Sequence, residues 1–202
     1  MSSRASQRVP RAEARRRIVA ATSRLLRTRR FRELTVDAVM ADAGLARTVF
    51  YRYFDGLPHV VVTLLDEALA DVVAVAESAP APDEPDVLRE MLVRTVQLFV
   101  AHGPVLRALD EAARLDPEAE AVYRAAVDRS TAATAELLAR GVEAGHIPPL
   151  DPLPVARALM MLNGHYLLDA LGDGRGDPDV ALRTLWTIWS RTLGAGPPQK
   201  GG

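Results

Sequence analysis

Apolar residues recur along this chain with a helical period from Arg11 onward, and no stretch keeps the alternation of β-branched residues that a strand needs. Ile18, Ala21, Thr22, Leu25 and Leu26 form one stripe of a helix over about residues 10–30, whose other faces carry arginine. Leu34 and Thr35 open a second helix: Thr35 caps it, Leu34 staples onto Val39, and Asp37 sits favourably in the first turn. Val36, Val39, Met40 and Ala43 line its inner face, and Gly44 ends it in the left-handed conformation. A third helix over 46–54 divides sharply at 100° per residue. Ala46, Val49, Phe50, Tyr53 and Phe54 face inward; Arg47, Thr48, Tyr51 and Arg52 face outward.

After the Asp55-Gly56 break, the pattern predicts a long helix over about 57–78 with Val61, Leu64, Leu65, Ala68, Leu69 and Val72 on one stripe and Pro58 in its first turn. The proline-rich run 79–85 reads as a connector. Further helices are expected over about 86–101, 104–114, 117–145, 152–171 and 178–193, punctuated by Gly103-Pro104, Asp116-Pro117, 145–154 and 172–178. The tail from 195 reads as disordered. The fold class is therefore all-α: an amino-terminal three-helix unit over 1–56, a helical bundle over 57–194, and the tail 195–202.

Charge divides the chain in the same place. Residues 1–55 hold 13 arginines against 5 acids, whereas 56–202 hold 12 basic residues against 21 acidic ones. A compact basic segment is what neutralising a phosphate backbone requires, and an acidic remainder keeps the body from sticking to nucleic acid indiscriminately. A merely solvated charged surface is the other reading of charge alone. With 49% hydrophobic residues the 202-residue chain can bury a real core. The absence of cysteine excludes disulfides and thiolate metal sites and fits the cytoplasm. No apolar run approaches a membrane span, so no membrane partner is expected.

Two short helices joined through Gly44, the second with arginines outward, meet the requirements of a helix-turn-helix. The run from Leu34-Thr35-Val36-Asp37 through Ala43-Gly44-Leu45-Ala46-Arg47-Thr48-Val49-Phe50-Tyr51-Arg52-Tyr53-Phe54 resembles the DNA-binding signature of the TetR family of transcriptional regulators. The resemblance implies an all-helical homodimeric repressor that holds a palindromic double-stranded DNA operator and leaves it when a small apolar effector binds. It also implies that Arg47, Thr48, Tyr51 and Arg52 face the major groove, with arginine gripping guanine or phosphate. Arg8, Arg11 and Arg15 are candidates for backbone or minor-groove contact or are ordinary surface residues, and Thr35 completes the candidate DNA-binding set. Three departures from the family pattern remove phosphate contacts: Ala46 and Val49 stand where small hydroxyl residues are usual, and Leu57 where a lysine is usual. Gly56 also replaces a serine cap. Free amides at that helix start still bind phosphate.

The carboxy-terminal half resembles the EthR group of the same family in Phe99-Val100-Ala101-His102, Glu111-Ala112-Ala113-Arg114, Leu159-Met160-Met161-Leu162-Asn163 and Trp186-Thr187-Ile188-Trp189. In that group a long apolar tunnel takes the ligand, which implies a hydrogen bond from Asn163 and aromatic walls from Tyr123 and Trp189. The candidate ligand set is Phe99, Tyr123, Met160, Asn163, Tyr166, Leu167, Trp186 and Trp189. Residue by residue, Asn163 is an amide on an apolar helix face, suited either to a ligand or to a bond across to another helix. Trp186 and Trp189 are ambiguous in the same way, since tryptophan at helical spacing is more often ordinary core or dimer contact than ligand wall.

Catalytic signatures are missing: there is no Gly-x-Ser-x-Gly elbow, phosphate-binding loop or His-Glu-x-x-His helix, and the four histidines lack metal-ligand spacing. Neither enzyme activity, a cofactor nor a metal is expected. A helical ligand-binding protein that has lost specific operator recognition is the alternative function, and a small helical enzyme a more remote one. Neither accounts for the segregated arginines.

Overall fold

The computed structural model describes residues 10–76 and 87–194, with the side chains of 67–76 excepted. Eight α-helices make up the described residues: α1 Arg11–Leu26, α2 Val36–Ala43, α3 Arg47–Phe50, α4 Leu57–Ala76, α5 Val87–Ala113, α6 Pro117–Glu143, α7 Pro152–Leu171 and α8 Pro178–Thr192. A 3-10 turn, Phe31–Glu33, links α1 to α2. The connector 79–85, the tail from 195 and the Ala68, Leu69 and Val72 side chains expected on the α4 stripe lie outside the described residues.

The helices form where the periodic stripes place them. Ile18, Ala21, Thr22 and Leu26 of α1, Val39, Met40 and Ala43 of α2, Phe50 and Phe54, and Val60, Val61, Leu64 and Leu65 of α4 are all buried. All but the polar Thr22 belong to one cluster that continues into Val105, Ala108, Leu109 and Ala112 of α5 and Ala119 of α6. A second cluster holds Leu92 and Val96 of α5, Leu138 of α6, Ala156, Leu159, Leu167 and Leu171 of α7, and Ala181, Leu185 and Trp189 of α8. Helix α5 belongs to both, so it ties the amino-terminal unit to the bundle.

One expected helix break is absent. Gly103-Pro104 does not break the chain into helices over 86–101 and 104–114; Pro104 lies inside the continuous α5. Proline in a helix interior costs about 3 kcal/mol through a lost hydrogen bond and ring crowding. Packing on both sides of it offsets that cost: Leu92, Val96, Gly103, Val105, Ala108, Leu109 and Ala112 are buried along the one helix. Gly103 is itself a close-approach residue, since a Cβ there would lie 2.9 Å from the Leu171 carbonyl oxygen. Elsewhere α1 stops at Leu26, short of the expected Arg30.

Candidate DNA-reading face and effector core

The α2–α3 unit is set by local chemistry. The Thr35 hydroxyl accepts the Ala38 backbone N–H at 3.1 Å, supplying one of the donors that a helix start leaves unpaired. Gly44 takes φ 65°, and the Leu45 and Gly44 amides close back onto the Met40 and Ala41 carbonyls. Helix α1 is clamped to this unit by Arg24, which donates to the Asp42 carboxylate through Nε at 3.1 Å and Nη2 at 2.6 Å. Regular helix in α3 covers only Arg47–Phe50, less than the expected 46–54, and turns carry the chain onward with Tyr53 and Phe54 amides bonded to the Phe50 carbonyl. Its N-cap is Ala46, which has no side-chain oxygen to offer and is exposed rather than turned inward. Burial holds this short element: Phe50 and Phe54 are enclosed with ring centroids 5.7 Å apart.

Arg47, Thr48, Tyr51 and Arg52 all stand exposed on α3 and the turn after it. Within that face Arg47 is already engaged: its Nη1 lies 2.5 Å from Asp37 Oδ2, its Nη2 donates to the Tyr51 hydroxyl at 3.2 Å, and its guanidinium sits 5.9 Å from the Tyr51 ring centre. The hydrogen bond to Asp37, then that to Tyr51, raises the Arg47 pKa. Among the described residues Arg52 and Arg11 have no hydrogen-bond or ion-pair partner, so both present free guanidinium groups. Arg15 is exposed but engaged, donating to the Thr63 hydroxyl of α4 at 3.3 Å with its guanidinium 5.6 Å from the Phe54 ring centre. Arg8 lies outside the described residues.

In the bundle, Asn163 of α7 and Trp189 of α8 are both buried, and the indole N–H donates to the Asn163 side-chain carbonyl at 3.0 Å. Of the two uses left open for the amide, the bond across to another helix is therefore made. An indole N–H can only donate, so the carbonyl oxygen must face it and the amide nitrogen must point away. That nitrogen is buried without a partner. Leu167 is fully buried in the same cluster, and Phe99, Tyr166 and Trp186 pack partly buried against it. Met160 accepts the Thr134 hydroxyl at 3.5 Å. Tyr123 goes elsewhere: it packs against the cluster shared with the amino-terminal helices, where burial and the nearby Asp110 raise its phenol pKa.

Two open clefts flank the junction of the halves. One of about 550 Å³ lies between Ser23 of α1, Arg27 just after it, Leu64 of α4, His102 of α5 and Asp173 after α7. The other, about 310 Å³, gathers Arg30, Arg107, Asp110, Glu111, His165 and Asp169. In it Glu111 faces Arg30 at 3.6 Å and accepts the Arg32 backbone N–H at 3.4 Å. Asp37 and Glu111 are interacting residues that the sequence does not reveal: Asp37 reads locally only as a helix-stabilising acid, and the Arg32 amide that Glu111 accepts is 79 residues away.

No protein-family model matches the chain. It is 30% identical over 183 residues to the HTH-type transcriptional regulator EthR of Mycolicibacterium smegmatis, covering 87% of this chain and 84% of that protein. Solved structures share the fold. A TetR transcription regulator from Haloarcula marismortui superposes with a TM-score of 0.71 at 18% identity, over 91% of this chain and 98% of its own. A transcriptional regulator from Saccharomonospora viridis, crystallised with choline, superposes at 0.69 with 21% identity over 89% and 96%.

Proposed function

This chain belongs to the TetR family of helix-turn-helix transcriptional regulators, DNA-binding proteins with a ligand-binding domain and not enzymes, and we propose that it is a repressor released from its operator by a small, largely apolar effector. The observation that carries the DNA-binding half is the exposed face of Arg47, Thr48, Tyr51 and Arg52 on a helix pair locked by Thr35, Gly44 and the Arg24–Asp42 clamp. In this reading residues 1–56 form the head that enters the major groove, and 57–194 take the effector and the second subunit. Arg52 and Arg11 meet bases or phosphate with their free guanidinium groups. Arg15 positions α1 on α4 rather than reaching the duplex. Thr35 acts as a cap whose neighbouring amides face the backbone.

The effector half of the proposal rests on the unpartnered amide of Asn163. A buried donor without an acceptor costs about 1–3 kcal/mol, and a ligand carbonyl or ether oxygen would relieve that. Phe99, Met160, Tyr166, Leu167, Trp186 and Trp189 supply the apolar surroundings, with Tyr123 in the neighbouring cluster. The Saccharomonospora regulator holds choline; the apolar neighbours of Asn163 favour instead an apolar body with one acceptor. Two copies would join through the outward faces of α7 and α8, where Leu153, Met161, Leu162 and Val180 are exposed, and set their α3 faces roughly 34–36 Å apart for a palindromic operator. The effector shifts binding only through its differential affinity for the operator-fitting and other dimer forms.

The test is selection of duplexes from a random pool by the purified chain, followed by sequencing of the genomic fragments it retains. An enriched palindromic motif is expected, with Arg52→Ala weakening binding to it by about five- to a hundredfold. Retention without any sequence preference would favour the helical ligand-binding alternative.

A further inference from the structure

The carboxylate of Asp37 is an unusual group to find on a face read as DNA-contacting. It is 66% exposed, sits in the first turn of α2 beside the start of α3, and would meet the phosphate backbone with a negative charge. Its partner is the arginine at the head of the recognition face: Arg47 Nη1 at 2.5 Å, with the Tyr51 hydroxyl taking Nη2 of the same guanidinium at 3.2 Å and the Tyr51 ring beneath it. Arg52, five residues on, has no such partner among the described residues. The two arginines of one face are thus differently prepared. One is free to swing to any phosphate; the other is held at two points of its fork, leaving its remaining N–H donors in a fixed direction.

We propose that Asp37 is a specificity-determining positioning residue: it holds Arg47 as a pre-set reading group, with Tyr51, and withholds that arginine from indiscriminate phosphate contact. The inference rests on the α3 face being the DNA-reading face. Two consequences follow from the chemistry. An arginine ordered before binding loses less rotamer freedom when it meets its base edge, so the held state favours the cognate duplex. On any other sequence, Arg47 must leave Asp37 to neutralise a phosphate, and the carboxylate left behind faces that phosphate unpaired, which penalises the non-cognate duplex. Sequence discrimination therefore depends on a residue that need not touch a base.

The experiment compares wild type, Asp37→Asn, Asp37→Glu, Arg47→Ala and the Asp37→Asn/Arg47→Ala pair on two probes, a duplex selected by the wild-type protein from a random pool and the unselected pool, across a salt series. Asp37→Asn should bind the unselected pool more tightly, steepen its salt slope by about one unit as Arg47 is freed for phosphate, and lower the selected-to-unselected ratio by about fivefold or more. Asp37→Glu, which keeps the charge within reach of Arg47, should restore most of the ratio. In the Arg47→Ala background the Asp37 substitution should no longer change the ratio. Circular dichroism of each variant reports whether α2 is intact. If Asp37 serves only the start of α2, Asp37→Asn will lower the melting temperature and leave the ratio and salt slope unchanged, and the proposal falls while the α3 reading stands. If Arg47→Ala itself leaves the selected-duplex affinity unchanged, the reading face is wrong and both fall.

Discussion

Arg107 of α5 donates to the backbone carbonyl of Leu168 on α7 at 2.9 Å. The bond places a guanidinium at the carboxy-terminal end of α7, where a cation is favoured by the helix dipole. Burial, and then the nearby Arg30, lower the Arg107 pKa, so the contact is made by a partly desolvated charge. The fit depends on Gly172: a Cβ there would meet the Leu168 carbonyl and come within 2.6 Å of the Arg107 Nη2. Gly172→Ala should therefore destabilise the fold by about 1–3 kcal/mol through overpacking. Gly164, mid-helix on the same α7, has nothing within 4 Å of its Cβ position, and Gly164→Ala should stabilise by about 0.5–1 kcal/mol. Urea denaturation of the two variants checks the opposite signs.

The two caps of the helix-turn-helix make a second pair. Thr35→Ala removes the acceptor of the Ala38 amide and should cost about 0.5–2 kcal/mol. Ala46→Ser supplies α3 with the side-chain oxygen its N-cap lacks and should stabilise by a fraction of that. Thermal unfolding followed by circular dichroism reads both, and equal melting temperatures for all three proteins would show that neither cap limits stability.

Trp189→Phe deprives Asn163 of its one hydrogen bond while leaving both amide groups buried. The expected loss is about 1–3 kcal/mol, beyond the smaller cost of the change in ring size. Asn163→Leu combined with Trp189→Phe should be less destabilising than the sum of the two single changes, since the pair then leaves no polar group stranded. A denaturant cycle on the four proteins gives the coupling directly.

Association of two copies is tested on the exposed apolar residues of α7. Met161 and Leu162 are 55% and 37% exposed, so Met161→Asp or Leu162→Asp leaves the described cores untouched. Each should convert the proposed dimer to monomer in sedimentation velocity at micromolar concentration and abolish binding to a palindromic duplex. A wild-type chain that sediments as a monomer would remove the basis for the palindrome.

Much of this protein was legible because it is local. The stripes of α1, α2 and α4, the cap at Thr35, the left-handed Gly44 and the outward set Arg47, Thr48, Tyr51 and Arg52 all depend on residues within one or two helical turns of each other, and helix periodicity and capping act over that range. The all-α class and the family signature followed from the same short-range pattern.

What only the tertiary structure decided involves partners far apart in the chain or on different elements. Pro104 reads locally as a stop, yet burial along the whole of α5 carries the helix through it. Asn163 finds Trp189 across 26 residues, and Tyr123 joins a different cluster from the one expected. Asp37 reads locally as a first-turn acid, but the turn at Gly44 brings α3 round so that the same carboxylate meets Arg47. Periodicity says which way a side chain points from its own helix. Which group it meets there is fixed by how the helices pack against one another, because a polar side chain takes its hydrogen-bond partner from whatever the neighbouring element presents.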